Sequence, residues 1–175
     1  MKISAVIVTC NRLDLLPRAL KSVIDQSRKP EFVYVVSNST ENNFVIEKNI
    51  CENIGFDLIK NYRTNNYAGA LNTGVEEIVK RHGISEDIYF ASLDDDDIWL
   101  PDYLNEIEKG NTSNYDLIVA NYLRYSDTEN LLMTLPTHLS AKDFLKGNPG
   151  IGGSNTFIKI KTLLIAGCFD EALYS

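Results

Sequence analysis

Two hydrophobic rhythms alternate along the first 110 residues. Ile3–Val8 is a nearly continuous, mainly β-branched run, the pattern of a strand buried on both faces. Asn11 then reads as an N-cap, with Asp14 three residues on and Pro17 near the first turn. Leu13, Leu16, Leu20, Val23 and Ile24 follow at helical spacing. Glu31–Val36 reads as a second buried strand, and Ser39 or Thr40 caps a helix carrying Phe44, Ile46 or Glu47, Ile50 and Ile54. Phe56–Lys60 is a short third strand. Ala68 to Arg81 is helical through Leu71, Val75, Ile78 and Val79, and Gly83 terminates it. Ile88–Leu93, a fourth strand, runs straight into Asp94, Asp95, Asp96 and Asp97, and Pro101 opens a helix through Leu104 and Ile107. Beyond it, Tyr115–Tyr122 reads as a strand, Ala141–Lys146 as a short helix and Gly147–Asn155 as a Gly-rich loop. Thr156–Ile160 is a further strand, and Lys161–Ala166 a last helical turn or two.

Alternating strand and helix predicts an α/β fold, a mostly parallel, doubly wound sheet flanked by helices. Ligands of such sheets lie at the carboxyl ends of the strands, near the switch in strand order. Three polar clusters fall at those ends: Thr9-Cys10-Asn11-Arg12, Ser37-Asn38-Ser39-Thr40, and Asp94 to Asp97. Parallel strands bring all three to one edge.

The length of 175 residues suits one domain, 1–175, which buries ~70% of the surface its unfolded chain exposes. Seventeen Lys and Arg against 24 Asp and Glu give a net charge of −7, which argues against a nucleic-acid partner. An anion would have to be held locally, through a metal ion or a helix N-terminus. Cys10, Cys51 and Cys168 are odd in number and far apart, so neither a disulfide nor a zinc framework is expected, and a reducing, cytoplasmic setting fits. No stretch approaches the ~20 apolar residues of a membrane span, although peripheral association with a membrane stays open.

Adjacent carboxylates ~4 Å apart repel by ~1 kcal/mol in water and ~4 kcal/mol at a partly buried edge. Four after an apolar strand must therefore be solvated or neutralised. If the strand pleat persists, Asp94 and Asp96 share one face and Asp95 and Asp97 the other. One face then offers hard oxygen ligands suited to Mn²⁺ or Mg²⁺; a solvated acidic loop is the alternative. An EF-hand is excluded because Trp99 stands where its loop requires Gly. The phosphate-binding patterns GxxxxGK[ST] and GxGxxG are absent.

Several segments, in order, resemble family 2 glycosyltransferases. Ile3 to Arg12 resembles their opening strand, VSVIIPTYNR, and Ala19 to Ser27 their first helix. Val35-Val36-Ser37-Asn38-Ser39-Thr40 sits where the family writes VVDDGS, and Gly69-Ala70-Leu71-Asn72-Thr73-Gly74 is similar to GARNxG. Leu93 to Asp102 resembles the metal-binding DxD segment with its W-x-P-D tail, and Gly167-Cys168-Phe169-Asp170-Glu171 the G-x-FDE turn. The resemblance implies a GT-A fold holding a nucleoside-diphosphate sugar, a UDP-sugar by default, through Mn²⁺ or Mg²⁺, with transfer to an acceptor that is a glycan, a lipid-linked glycan or a protein. It implies nucleotide-sugar contacts at Thr9, Asn11, Arg12, Asn38, Asn72, Asp94 and Asp95, with Asp96 as the metal ligand. Departures bear on the base: Ser37 replaces an acid, Asn38 stands where an Asp accepts from uracil, Cys10 replaces an aromatic and Leu71 an Arg. In the family an acidic base follows the FDE turn, which places the expected base beyond Ser175.

Individual residues also have structural readings. Asn11, Ser39 and Thr40 can be helix caps, Asn72 can bond backbone, Trp99 can pack beneath the aspartates, and His82 and His138 read as surface residues. Three functions therefore stand side by side: an inverting, metal-dependent glycosyltransferase; a non-catalytic nucleotide-sugar or cation-binding module; and another phosphate-transfer enzyme on a doubly wound sheet.

Overall fold

A computed structural model describes residues 1–125, 129–137 and 140–174. A six-stranded sheet runs through the molecule. Its strands are β1 (Lys2–Thr9), β2 (Phe32–Ser37), β3 (Asp57–Lys60), β4 (Ile88–Asp94), β5 (Leu117–Val119) and β8 (Thr156–Lys159), in the order β3-β2-β1-β4-β8-β5. β1 is parallel to β2 and β4, and β2 to β3, whereas β8 is antiparallel to both β4 and β5. A separate ribbon pairs β6 (Tyr122–Tyr125) with β7 (Asn130–Met133).

The pleat divides the core into two layers. Ile3, Ala5 and Ile7 of β1 face one side with Tyr89, Ala91 and Leu93 of β4. They pack against Leu16, Ala19, Leu20 and Val23 of α1 (Leu16–Ile24) and Leu104 and Ile107 of α4 (Tyr103–Gly110). Val6 and Val8 face the other side with Val36 and Phe90, beneath Ala70, Leu71, Val75 and Ile78 of α3 (Tyr67–His82). Gly74 lets α3 lie directly on β1: a Cβ there would stand 2.6 Å from Val6 Cγ1. α2 (Glu41–Glu52) links β2 to β3, α5 (Ala141–Phe144) and α6 (Ile160–Ile165) flank β8, and a 3₁₀ turn spans Glu171–Tyr174.

Several expectations need correction. Asn11 does not cap α1, which starts at Leu16 after Leu15; Asn11 adopts a φ of 58°, a conformation asparagine tolerates. Thr40 is the N-cap of α2, but its side chain makes no capping bond. Glu31 stays outside β2, because its carboxylate instead accepts the Ile3 N–H at 2.6 Å. The expected strand Tyr115–Tyr122 is two strands in two sheets, divided where Ala120 N–H bonds Asn155 O. β7 escaped the reading since its NLLM shows no alternation and is largely exposed. His82 is not a bare surface residue: it stacks on Phe32 with centroids 3.6 Å apart and bonds the Tyr34 hydroxyl at 2.7 Å. Burial, then Arg81, lowers its pKa. His138 lies outside the described residues. All three cysteines are free thiols, and among the described residues no helix is long and apolar enough to cross a membrane.

Candidate active site

The chain winds outward from β1 through β2 to β3, then returns to the other side of β1 to lay down β4. The switch in strand order therefore falls between β1 and β4, where doubly wound sheets open a crevice. Thr9 is registered with Ser37 and Val8 with Asp94, so the three polar clusters do meet on one edge.

The acidic turn dominates this crevice, and its geometry differs from the pleated expectation. Asp97 N–H bonds Asp94 O at 3.1 Å, so the chain turns immediately after β4 and the strand alternation stops. Asp94, Asp96 and Asp97 consequently present carboxylate oxygens within 4.8 Å of one another. Asp95 is the odd one out, buried at 4% exposure. Its carboxylate accepts from Arg12 Nη1 at 2.9 Å and from Cys10 N–H at 3.4 Å, bridging the β1 and β4 ends. The same Arg12 nitrogen reaches Asp96 at 2.8 Å, and Arg18 Nη2 donates to the Asp96 carbonyl at 3.0 Å. Asp95 first, then Asp96, raise the Arg12 pKa.

Asp94 is held from beneath. Its N–H donates to Ser154 Oγ at 3.0 Å, and the Tyr67 hydroxyl donates to its carboxylate at 2.5 Å. Burial pushes the Asp94 carboxyl up, against the lowering effect of Tyr67, while Asp97, Asp96 and Asp95 add repulsion. A Cβ on Gly153 would meet the Tyr67 hydroxyl oxygen at 2.3 Å and Asp94 Oδ1 at 3.0 Å, so only glycine admits this approach. Ser92 Oγ fixes the Gly153 carbonyl at 2.8 Å, and Trp99 Nε1 fixes that of Ser154 at 2.8 Å. Trp99 is buried beneath the aspartates, between Tyr103 and Phe157. Tyr67 was not among the residues singled out by sequence, and nothing in the sequence pairs it with Asp94. Gly153 and Ser154 fall in the expected Gly-rich loop, Gly147–Asn155, but nothing local to that loop signals their contact with Asp94.

The neighbouring polar residues fall into two groups. Thr9 is buried, with its Oγ1 lacking a hydrogen-bond partner among the described residues. Asn38 donates through Nδ2 to Asn66 O at 3.0 Å and accepts from Asn61 Nδ2 at 2.7 Å. The Asn61 amide is itself oriented by Arg63 N–H and Thr64 O, so backbone groups fix both amides. Asn11 and Asn72, by contrast, fasten the walls. Asn11 Oδ1 accepts from Thr40 N–H at 3.0 Å and Asn43 Nδ2 at 2.9 Å, capping α2 rather than its own helix. Asn72 bonds Phe169 N–H and O at 3.0 and 2.9 Å and the Glu171 carboxylate at 2.8 Å. Asn72, Thr64 and Arg63 together hold the Glu171 carboxyl down at about 2. Ser37, where the family pattern has an acid, instead donates to one: Glu47 of α2 is fully buried and accepts from both the Ser37 and Ser39 hydroxyls.

Three carboxylates converging at a switch crevice supply hard oxygen donors, a set that fits Mn²⁺ or Mg²⁺. Comparison with known proteins gives this arrangement a context. The chain is 27% identical over 184 residues to an uncharacterized glycosyltransferase of Rickettsia conorii, covering 98% of this chain and 29% of that protein. It superposes on S. aureus TarS in complex with UDP with a TM-score of 0.73 and 16% identity, covering 100% of this chain and 52% of TarS. A mannosyltransferase of Pyrobaculum calidifontis, PcManGT, in complex with GDP-Man and Mn²⁺, matches with a TM-score of 0.65 and 19% identity over 97% of this chain and 47% of that one. The chain therefore spans between about a third and a half of the length of such relatives. These structural likenesses establish the GT-A type fold. The sequence model for glycosyl transferase family 2 matches residues 4–168, and the chain belongs to that family.

Proposed function

We propose that residues 1–175 form one GT-A domain that binds a nucleoside-diphosphate sugar through a divalent ion, for transfer to an acceptor with inversion. The observation that carries this is the convergence of Asp94, Asp96 and Asp97 on the crevice between β1 and β4. Asp96, assisted by Asp94 and Asp97, is the proposed metal ligand. A bound divalent ion would supply Lewis-acid stabilisation of the departing diphosphate. Thr9, Arg12, Asn38, Asp94 and Asp95 are the proposed nucleotide-sugar contacts that line the strand ends. Asn11 and Asn72 serve the same site by holding α2 and the Phe169–Glu171 turn in place, with ligand contact proposed through whatever valences those bonds leave.

UDP-sugars remain the default donor, consistent with the UDP and UDP-GlcNAc complexes of TarS. The fixed Asn38 amide keeps one N–H and one oxygen lone pair available for a base edge. Glu171 is a poor candidate for general base, since a carboxyl held at about 2 takes up a proton weakly near neutrality.

A thermal-shift panel of UDP, GDP, UDP-GlcNAc and GDP-mannose, each with Mn²⁺ and with EDTA, tests the proposal. Stabilisation by one nucleotide class, in Mn²⁺ only, is the expected result. Equal shifts in EDTA would remove the metal from the reading. Binding without transfer by the full-length protein would favour the non-catalytic module.

A further inference from the structure

We propose that Arg12 is the resident cation of the acidic turn: it holds Asp96 when no divalent ion is bound, competes with that ion, and so couples cation binding to nucleotide binding. This rests on the metal reading above. The two bonds of Arg12 Nη1 are unequal. Its Asp95 partner has a side chain 5% exposed, so that pair is anchored, whereas Asp96 is 50% exposed and its bond is exchangeable.

The acidic turn does not depend on Arg12 for its shape. The Asp97–Asp94 backbone bond and the Arg18 contact to the Asp96 carbonyl hold it independently. The Arg12 backbone is fixed too, since its carbonyl accepts from Leu15 and Leu16 N–H. Arg12 can therefore release Asp96 by moving only its guanidinium, keeping Asp95.

A free cation arriving at Asp94, Asp96 and Asp97 meets this positive charge at contact distance, which offsets part of the attraction of the carboxylates. A diphosphate entering with the cation adds negative charge beside both, so the repulsion falls only when the two bind together. By reciprocity the cation then tightens nucleotide binding by the same factor.

The test titrates Mn²⁺ by the electron paramagnetic resonance of the free ion, with and without UDP, in wild type, Arg12→Gln and Arg12→Lys. Arg12→Gln should bind Mn²⁺ alone on the order of tenfold more tightly, with weaker coupling to UDP, while Arg12→Lys keeps the charge and stays close to wild type. Equal Mn²⁺ affinity in wild type and Arg12→Gln, in a protein that binds Mn²⁺ with UDP, overturns the competition and leaves the metal site standing. Absence of Mn²⁺ binding even with UDP overturns both. Since Gln leaves the buried Asp95 with a weaker partner, the wild-type protein offers a second measurement. Arginine side-chain NMR should show the Arg12 guanidinium restrained without ion and altered by Mg²⁺ plus UDP; an unchanged signal also overturns the proposal.

Discussion

The molecule treats its carboxylates in two opposite ways. Glu47 and Glu171 are saturated: the first, fully buried, takes two serine hydroxyls, the second an asparagine amide, a guanidinium and a backbone N–H. Asp96 and Asp97 stand exposed at the switch crevice with their neighbours' charges close by. Saturated acceptors hold a fold together, and crowded, half-satisfied ones keep oxygens free for a further donor or ion. Acidity alone does not separate the two classes; the count of donors around each oxygen does.

The sharpest way to break the comparison is to delete a saturated member. Glu47→Ala leaves two buried hydroxyls without their acceptor and should cost about 2–4 kcal/mol. For a domain of this size that is a fall of roughly 5–15 °C in melting temperature, measurable by calorimetry. An unchanged melting temperature would place Glu47 in the other class.

Asp96→Ala should do the reverse. Its lost ion pair with Arg12 is half exposed and worth at most ~1 kcal/mol, and one like charge disappears with it. The stabilisation by Mn²⁺ plus UDP, ~2.7 kcal/mol at one hundred times the dissociation constant, should vanish. Melting curves of both proteins with and without ligand decide it, and a destabilised apo variant that keeps its ligand shift would make Asp96 structural.

Glu171 supplies a pH test. Its folded pKa, about 2, lies below the ordinary 4.5, so its contribution is complete above the ordinary value and is lost as pH falls from about 4.5 towards 2. Glu171→Gln should flatten that part of the stability profile in urea titrations across the window. A profile of unchanged steepness would refute the assignment.

Asn38→Asp is the smallest and most pointed change. It restores the acid of the family pattern, yet a carboxylate cannot donate to Asn66 O, so a loss of about 1 kcal/mol is expected. If the variant is instead stabilised, the amide is oriented by something other than the Asn61–Asn66 network.

Much of this was legible in the chain. A buried, mainly β-branched run identified β1, an apolar run identified β4, helical spacing identified α3, and the chain order placed Asp94–Asp97 at the carboxyl end of β4. The failures have two causes. The split of Tyr115–Tyr122 and the choice of Asn11 for α2 rather than α1 depend on partners distant in sequence, whereas the ribbon β6–β7 is a local pairing whose exposed NLLM carries no alternation to read.

The sequence by itself determined the α/β winding, the strand-end location of the acidic run and the family. Those follow from local periodicity and from motifs read in order. Only the tertiary structure decided which aspartates converge, because the turn after Asp94 cancels the pleat and hands Asp95 to Arg12. It also decided that Tyr67, Gly153 and Ser154 support Asp94 and that Glu47 receives the Ser37 hydroxyl at the end of β2. A hydrogen bond between residues 27 to 60 positions apart leaves no periodic trace in either segment; it exists once the sheet has brought their ends to the same edge.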